Sequence, residues 1–182
     1  EGVAPRDIAV VYRTRAAGAD AQLALLRAGV PFVIRGGSGF FNRGVVQDAI
    51  AHLEAAATWD TDAIVRASRC PTRFLGAAFR SALDALAANG GGGPDLVNPD
   101  HYDGRQMRGV RCLRSHLGDV ARSLDDGPSA ALDTVYGLQG LKGQTFAMHG
   151  PADKLDERTE LLATLQEVAA GFDTTDDFLS VA

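Results

Sequence analysis

Strand-like segments are confined to the first third of this 182-residue chain, and this distribution limits the folds open to it. Residues 8–12 form a short run rich in β-branched side chains, which is typical of a strand buried on both faces. A stretch rich in leucine and alanine over 20–27 then shows helical spacing, and Gly29 follows it where a C-terminal cap belongs. A second short strand is predicted at 31–34. Strand, helix and strand in this order predict a βαβ unit with two parallel strands.

Beyond about residue 60 the strand signals disappear and helical periodicity takes over. Helices are predicted at residues 43–57, 63–67, 77–88, 108–124, 129–141 and 153–171, with a further element starting at 178–182. Residues 89–94 form a glycine-rich break, and the polar stretch up to residue 104 is predicted as loop. The fold class is therefore α/β, with an α/β segment leading into an all-α segment. Because two strands make a sheet too small to be stable alone, we expect the missing strands to lie elsewhere in a longer chain.

Composition excludes several classes of protein. Hydrophobic residues make up 46% and charged residues 23% of the chain, which is ordinary for a globular protein and excludes a disordered or fibrous one. Cys70 and Cys112 are too few for a disulfide framework and lack the close spacing of a zinc site. No apolar run approaches the roughly 20 residues of a membrane helix, and no secretory leader opens the chain. We therefore expect a cytoplasmic protein without a membrane partner.

Charge is distributed unevenly along the chain. The formal net charge of −5 argues against a protein that binds nucleic acid over its whole surface. However, residues 66–122 carry nine basic and five acidic side chains, whereas residues 123–182 carry three and eleven. A basic middle beside an acidic end indicates either two surfaces with different partners or two solvated helical faces.

Motifs of a self-sufficient enzyme are absent. The sequence contains no phosphate-binding P-loop and no Gly-x-Ser-x-Gly nucleophile motif. The four histidines, at 52, 101, 116 and 149, lack the spacing of metal ligands, so no metal site is predicted. We therefore expect that this chain alone catalyses no reaction.

An aromatic and a cationic side chain follow directly after the first predicted strand. In open parallel sheets, ligands gather at the carboxyl ends of strands, which is where Tyr12 and Arg13 are placed. A tyrosine ring can stack on a base there, and a guanidinium can bind a phosphate and stabilise charge during phosphoryl transfer. Taken alone, the pair is better explained by a tyrosine that caps the strand and an arginine that is a solvated charge.

Several short motifs occur together in one order. They are Ile8 to Thr14 (IAVVYRT), Arg27 to Phe32 (RAGVPF), Gly36 to Arg43 (GGSGFFNR) and Asp48 to Leu53 (DAIAHL). In this order the chain resembles UvrD/Rep-type superfamily 1 ATP-dependent DNA helicases, from their motif IV to just before motif V. The resemblance is dense over 6–57, continues more weakly over 64–76 and returns faintly at 172–182.

The resemblance implies a division of the chain and a nucleotide site. Residues 1–57 would be the first part of the second RecA-like motor domain, and residues 58–182 a reduced or diverged helical accessory (2B) domain. In this family the motif IV tyrosine stacks on adenine and the arginine reaches the γ-phosphate, roles that fall on Tyr12 and on Arg13 as the catalytic residue. ATP and Mg²⁺ would bind the full-length parent, and neither is expected on this segment alone.

The resemblance also implies DNA contacts. The segment Pro71 to Gly76 (PTRFLG) resembles a family segment whose loop touches duplex phosphates, although Phe74 replaces a glycine of that pattern. The candidate DNA-binding residues are Arg43, Arg66, Arg69, Thr72, Arg73, Gly76 and Arg80.

The leading hypothesis is therefore part of an ATP-dependent DNA helicase or translocase, 3′→5′ by family analogy, that acts in DNA repair or replication. Its partners would be single-stranded and duplex DNA, the remaining motor domains of the same polypeptide and a repair protein. Two alternatives stay open. One is a docking module for DNA or protein that has lost its motor, and the other is a helicase-nuclease subunit of the RecB or AddA kind.

Overall fold

The computed structural model describes residues 2–13, 18, 21, 22, 24, 25, 28–35, 39–137 and 155–182. The helices with described bounds are α1 (Gly44–Thr58), α2 (Thr61–Ala67), α3 (Ala77–Ala88), α4 (Gly104–Ser123), α5 (Pro128–Gly137), α6 (Leu155–Ala169) and α7 (Thr175–Val181). Short 3₁₀ turns lie at Pro5–Asp7, Phe40–Asn42, Gly93–Val97, Pro99–His101 and Leu124–Asp126. None of the helices in this part of the chain is both long and apolar enough to cross a membrane.

The all-α segment is confirmed, whereas neither predicted strand is a strand in the structure. Residues 8–12 and 31–34 pair with no other segment among the described residues, and Val11 and Val33 are 93% and 84% exposed. β-Branched side chains favour an extended backbone, but a strand also needs hydrogen bonds from a neighbouring strand. Of the helix predicted over 20–27, the described residues 21, 22, 24 and 25 are helical, and the rest lie outside the described part.

Two hydrophobic clusters make up the core, and α1 and α4 contribute to both. The first cluster joins Phe40 and one face of α1 to the end of α4 and to α5, α6 and α7. The second joins Ala55 of α1 to α2, α3 and the first half of α4. Val110, Leu113, Leu117 and Val120 follow helical spacing and are fully buried, so α4 turns one apolar stripe inward. Its arginines consequently lie on the remaining surface.

The polar stretch before α4 is more ordered than the sequence predicts. Its two 3₁₀ turns bring Leu96, Val97 and Tyr102 into the second cluster, where the Tyr102 hydroxyl donates to the Leu96 carbonyl. Asp103 then caps α4 by accepting two backbone N–H groups of the first turn at 3.0 and 2.9 Å. This cap starts α4 at Gly104, four residues before the predicted start, because an aspartate satisfies N–H groups that a helix leaves free.

Candidate nucleic-acid interface

The loop between α2 and α3, residues 68–76, is held in place by one buried arginine, and we call it the arginine loop. Arg73 is only 7% exposed, and its Nη1 donates to the carbonyl oxygens of Ala67 at 2.8 Å and Pro71 at 2.9 Å. Its Nη2 contacts the Nδ1 of His116 in α4. Arg73 thus links the loop to the end of α2 and to α4. Its guanidinium points into the protein and not towards solvent.

The arginine loop also lies directly on the backbone of α4. A Cβ added at Gly109 would stand 2.6 Å from the Arg73 carbonyl oxygen and 2.9 Å from the Leu75 Cδ2. Contacts below 3.0 Å are sterically excluded for a real side chain, so only glycine permits this approach. The loop and the first half of α4 therefore form one surface.

The two histidines beneath this surface, His116 and His52, are uncharged. A guanidinium can only donate hydrogen bonds, so the Nδ1 of His116 accepts from Arg73 and the proton of this imidazole is on Nε2. The Nε2 of His116 lies 3.7 Å from the Sγ of Cys112. Burial lowers the pKa of His116, and the nearby Arg73 charge lowers that pKa further. His52 lies fully buried in α1, where burial lowers its pKa to about 4 and its Nδ1 donates to the Asp48 carbonyl at 2.8 Å. Neither imidazole contributes positive charge at neutral pH.

Exposed arginines surround the arginine loop. Arg69 lies within it, and Arg105 lies one helical turn before Gly109, on the side of α4 that the loop covers. Arg108 immediately precedes Gly109 and points to an adjoining side of the helix. All three are exposed, and within the described ranges none of them forms an ion pair. Uncompensated guanidinium groups on one surface are suited to binding phosphates.

Two of the candidate arginines are paired with carboxylates instead. The Nε of Arg66 lies 2.9 Å from the Oδ1 of Asp48, and its Nη2 donates to the Gly44 carbonyl at 3.3 Å. Arg80 binds both carboxylate oxygens of Asp84 at 3.0 and 2.9 Å, and its Nη2 lies 2.7 Å from Asp62. These carboxylates offset part of the positive charge at the edge of the surface.

The remaining candidates lie at element ends. Gly76 precedes α3 as its exposed N-terminal cap, with open space where a Cβ would stand. Thr72 is exposed in the arginine loop, and its hydroxyl donates to the Arg69 carbonyl at 3.3 Å. Arg43 is the half-buried N-cap residue of α1. The structure therefore groups Arg69, Thr72 and Gly76, and it adds Arg105 and Arg108 to them.

The proposed nucleotide-binding pair lies in the extended segment near the start of the chain. Tyr12 is 38% exposed, and the edge of its ring packs against Gly18. Arg13 is exposed. A tyrosine ring can stack on an adenine and an exposed guanidinium can bind a phosphate, so the residues present fit a nucleotide. A largely apolar cavity of about 1020 Å³ beside residues 31–34 has no charged residue in its described lining, which does not suit a triphosphate.

Sequence reasoning did not find Arg105, Arg108 or His116. Both arginines lie outside the apolar stripe of α4, as solvated helix residues do, but the predicted helix began at 108 and left Arg105 in a loop. Nothing in the sequence indicates that His116 contacts Arg73, because the two residues are 43 positions apart.

Comparison with known proteins gives a consistent result. The chain is 34% identical over 96 residues to the ATP-dependent DNA helicase UvrD2 of Mycobacterium tuberculosis, covering 48% of this chain and 14% of that protein. It is 34% identical over 86 residues to the ATP-dependent DNA helicase PcrA of Bacillus subtilis, covering 47% of this chain and 12% of that protein. The chain resembles UvrD-type helicases. The resemblance found in the sequence is thereby confirmed.

A longer match to a UvrD-type helicase includes the candidate interface. The ATP-dependent DNA helicase UvrD1 of Mycobacterium tuberculosis is 25% identical over 171 residues, covering 88% of this chain and 22% of that protein. An alignment of this extent necessarily includes the arginine loop, which lies far from either end. The chain thus spans less than a quarter of the length of these helicases. No family model matches the chain.

Proposed function

We propose that this chain is the part of an ATP-dependent DNA helicase or translocase that runs from motif IV to just before motif V, and that the parent moves 3′→5′ in DNA repair or replication. The observation that carries the proposal is the surface formed by the arginine loop and α4, where Arg69, Arg105 and Arg108 are exposed without counter-charges among the described residues. The likeness to helicases supports the same reading.

In this proposal residues 1–57 begin the second RecA-like motor domain. Tyr12 stacks on adenine, and Arg13 stabilises the charge that develops on the γ-phosphate. The exposed Val11 and Val33 then pack within a sheet completed by other parts of the parent, which supplies the P-loop and the Mg²⁺-binding carboxylates. ATP with Mg²⁺ is the cofactor of that parent, and this chain alone does not hydrolyse it.

Residues 58–182 form the helical accessory domain, which engages duplex DNA beside the single strand. Arg69, Thr72 and Gly76 bind phosphates directly, and Arg43, Arg66 and Arg80 contribute at the edges, the last two with their charge shared by carboxylates. Arg73 acts by holding the loop in shape. The acidic residues 123–182 face away from DNA, towards the motor domains or a repair-protein partner.

DNA binding by the chain tests the accessory-domain assignment. Affinity for a short duplex should fall linearly with the logarithm of salt concentration, and an Arg69→Ala/Arg108→Ala double variant should reduce the slope. An Arg6→Ala variant removes an exposed arginine of the 3₁₀ turn at Pro5–Asp7 and serves as the control. Absence of binding at low salt would overturn this assignment.

ATP hydrolysis by the full-length parent tests the motor assignment. Arg13→Ala should lose about 3–5 kcal/mol of transition-state stabilisation in single-turnover measurements, because an arginine that bridges the cleft is worth about that much. Arg6→Ala is again the control. Normal hydrolysis by Arg13→Ala would remove Arg13 from the catalytic role. A parent that binds duplex DNA but hydrolyses no ATP would instead favour the alternative function, a docking module that has no motor.

A further inference from the structure

Phe74 projects from the tip of the arginine loop almost completely into solvent. Its side chain is 94% exposed, more than any other large hydrophobic residue of the described part. Full burial of a phenylalanine stabilises a protein by about 1.5–3 kcal/mol, and Phe74 gains none of that here. An aromatic ring left so exposed indicates a contact made outside the chain.

The backbone at Phe74 is also strained. Its φ of 57° lies in the left-handed region, which bulky residues rarely adopt. Trp59 has the same φ at the end of α1, but its ring is half-buried and packs against the second core cluster. Phe74 has no such packing to offset the strain, which is the combination that functional positions show.

The neighbours of Phe74 fix the backbone that presents it. Arg73, on one side, is fastened to two carbonyls and to His116, and Leu75, on the other, packs at Gly109. Little backbone entropy is therefore lost when the ring binds a partner. The exposed arginines at 69, 105 and 108 lie around the same loop, so that partner carries negative charge.

We propose that Phe74 stacks on an exposed base face of DNA, at a duplex end or at a junction between duplex and single strand. The exposed arginines bind the phosphates on either side of that base. This inference rests on the proposed DNA function and goes beyond it, because a loop that only binds phosphates would use glycine at this position for closer approach. The ring offers no hydrogen bond, so it recognises the open base face and no particular sequence.

Two DNAs with equal numbers of phosphates separate stacking from phosphate binding. One is a duplex with a single-stranded tail, which presents an open base face. The other is a duplex sealed by a hairpin at both ends, which presents none. The wild-type chain should prefer the tailed DNA by about fivefold to a hundredfold, the range of a single base–aromatic stack.

The variants assign this preference to the ring. Phe74→Ala should bind both DNAs equally, at the wild-type affinity for the sealed one, and Phe74→Trp should keep the preference. Val33→Ala, which trims another exposed apolar side chain, is the control and should behave as wild type. Phe74→Gly should fold at least as stably as wild type, since it removes the strain and no buried contact.

The outcomes also separate this inference from the proposed function. If Phe74→Ala keeps the wild-type preference, or if the wild-type chain shows none, the stacking role is overturned while phosphate binding by the arginines stands. A Phe74 ring that contacts a protein partner instead of DNA would also leave the DNA preference unchanged by Phe74→Ala. If neither DNA binds at low salt, the proposed DNA function itself fails.

Discussion

The Arg73 guanidinium contacts the ring of His116 across the junction between the arginine loop and α4. The cation is buried against two carbonyl oxygens and a neutral imidazole, and among the described residues no carboxylate pairs with it. Hydrogen bonds, instead of an ion pair, therefore offset the cost of burying this charge. The shape of the surface that carries Phe74 and the exposed arginines depends on this one side chain.

Replacing Arg73 should destabilise the fold. Arg73→Ala leaves the carbonyls of Ala67 and Pro71 without their donor, and each buried unpaired group costs about 1–3 kcal/mol. We expect a loss of about 3 kcal/mol in the free energy of unfolding, measured by urea denaturation. Arg69 lies on the same loop but is exposed, so Arg69→Ala should change that free energy by at most about 0.5 kcal/mol. Equal stability of the two variants would contradict the structural role of Arg73.

Two glycines of α4 should respond to alanine with opposite signs. Gly109→Ala places a methyl group 2.6 Å from the Arg73 carbonyl oxygen, so we expect a loss of about 1–3 kcal/mol from overpacking. At Gly118 the nearest atom is a flexible Arg122 nitrogen at 3.8 Å, and Gly118→Ala should gain about 0.5–1 kcal/mol from helix propensity. Thermal denaturation of both variants checks the signs. A stabilised Gly109→Ala would show that the arginine loop does not lie on α4.

The buried histidines should make the chain less stable in mild acid. Burial lowers the pKa of His52 to about 4, with a smaller contribution from the charge of Arg73, whereas in the unfolded chain that pKa is about 6.5. Between these values the unfolded chain binds a proton that the folded one does not, so stability falls as pH decreases from about 7 towards 4. His52 alone accounts for about 3 kcal/mol of that loss, and the lowered pKa of His116 acts in the same direction.

Urea midpoints at pH 7.5 and 5 measure this effect. His52→Leu keeps a similar volume in the core and should lose much less stability between the two pH values than wild type. His101→Gln, which changes an exposed histidine, is the control and should keep the wild-type loss. A His52→Leu chain with the full wild-type loss would show that His52 is not buried in its neutral form.

Residues close together in the sequence were predictable, and contacts between distant residues were not. The helix predicted at 77–88 is α3 to the residue, because alanines and leucines repeat there at helical spacing between a glycine and an asparagine. The inward turn of Arg73 depends on His116 and on the approach of Gly109, neither of which local periodicity encodes. The segments 8–12 and 31–34 carry strand composition without a partner strand among the described residues, so composition alone did not predict their state.

Arg80 and Arg108 should contribute unequally to DNA binding, although the sequence predicted only Arg80. Arg80 already binds the carboxylates of Asp84 and Asp62, whereas exposed Arg108 forms no ion pair within the described part of the chain. Each phosphate neutralised adds about 0.9 to the slope of log affinity against log salt. Arg108→Ala should therefore lower the slope for a short duplex by about 1, and Arg80→Ala by much less. Asp84→Asn should strengthen binding, since it frees part of the Arg80 charge. Fluorescence anisotropy at several salt concentrations measures all three, and equal slopes for the two arginine variants would refute this ranking.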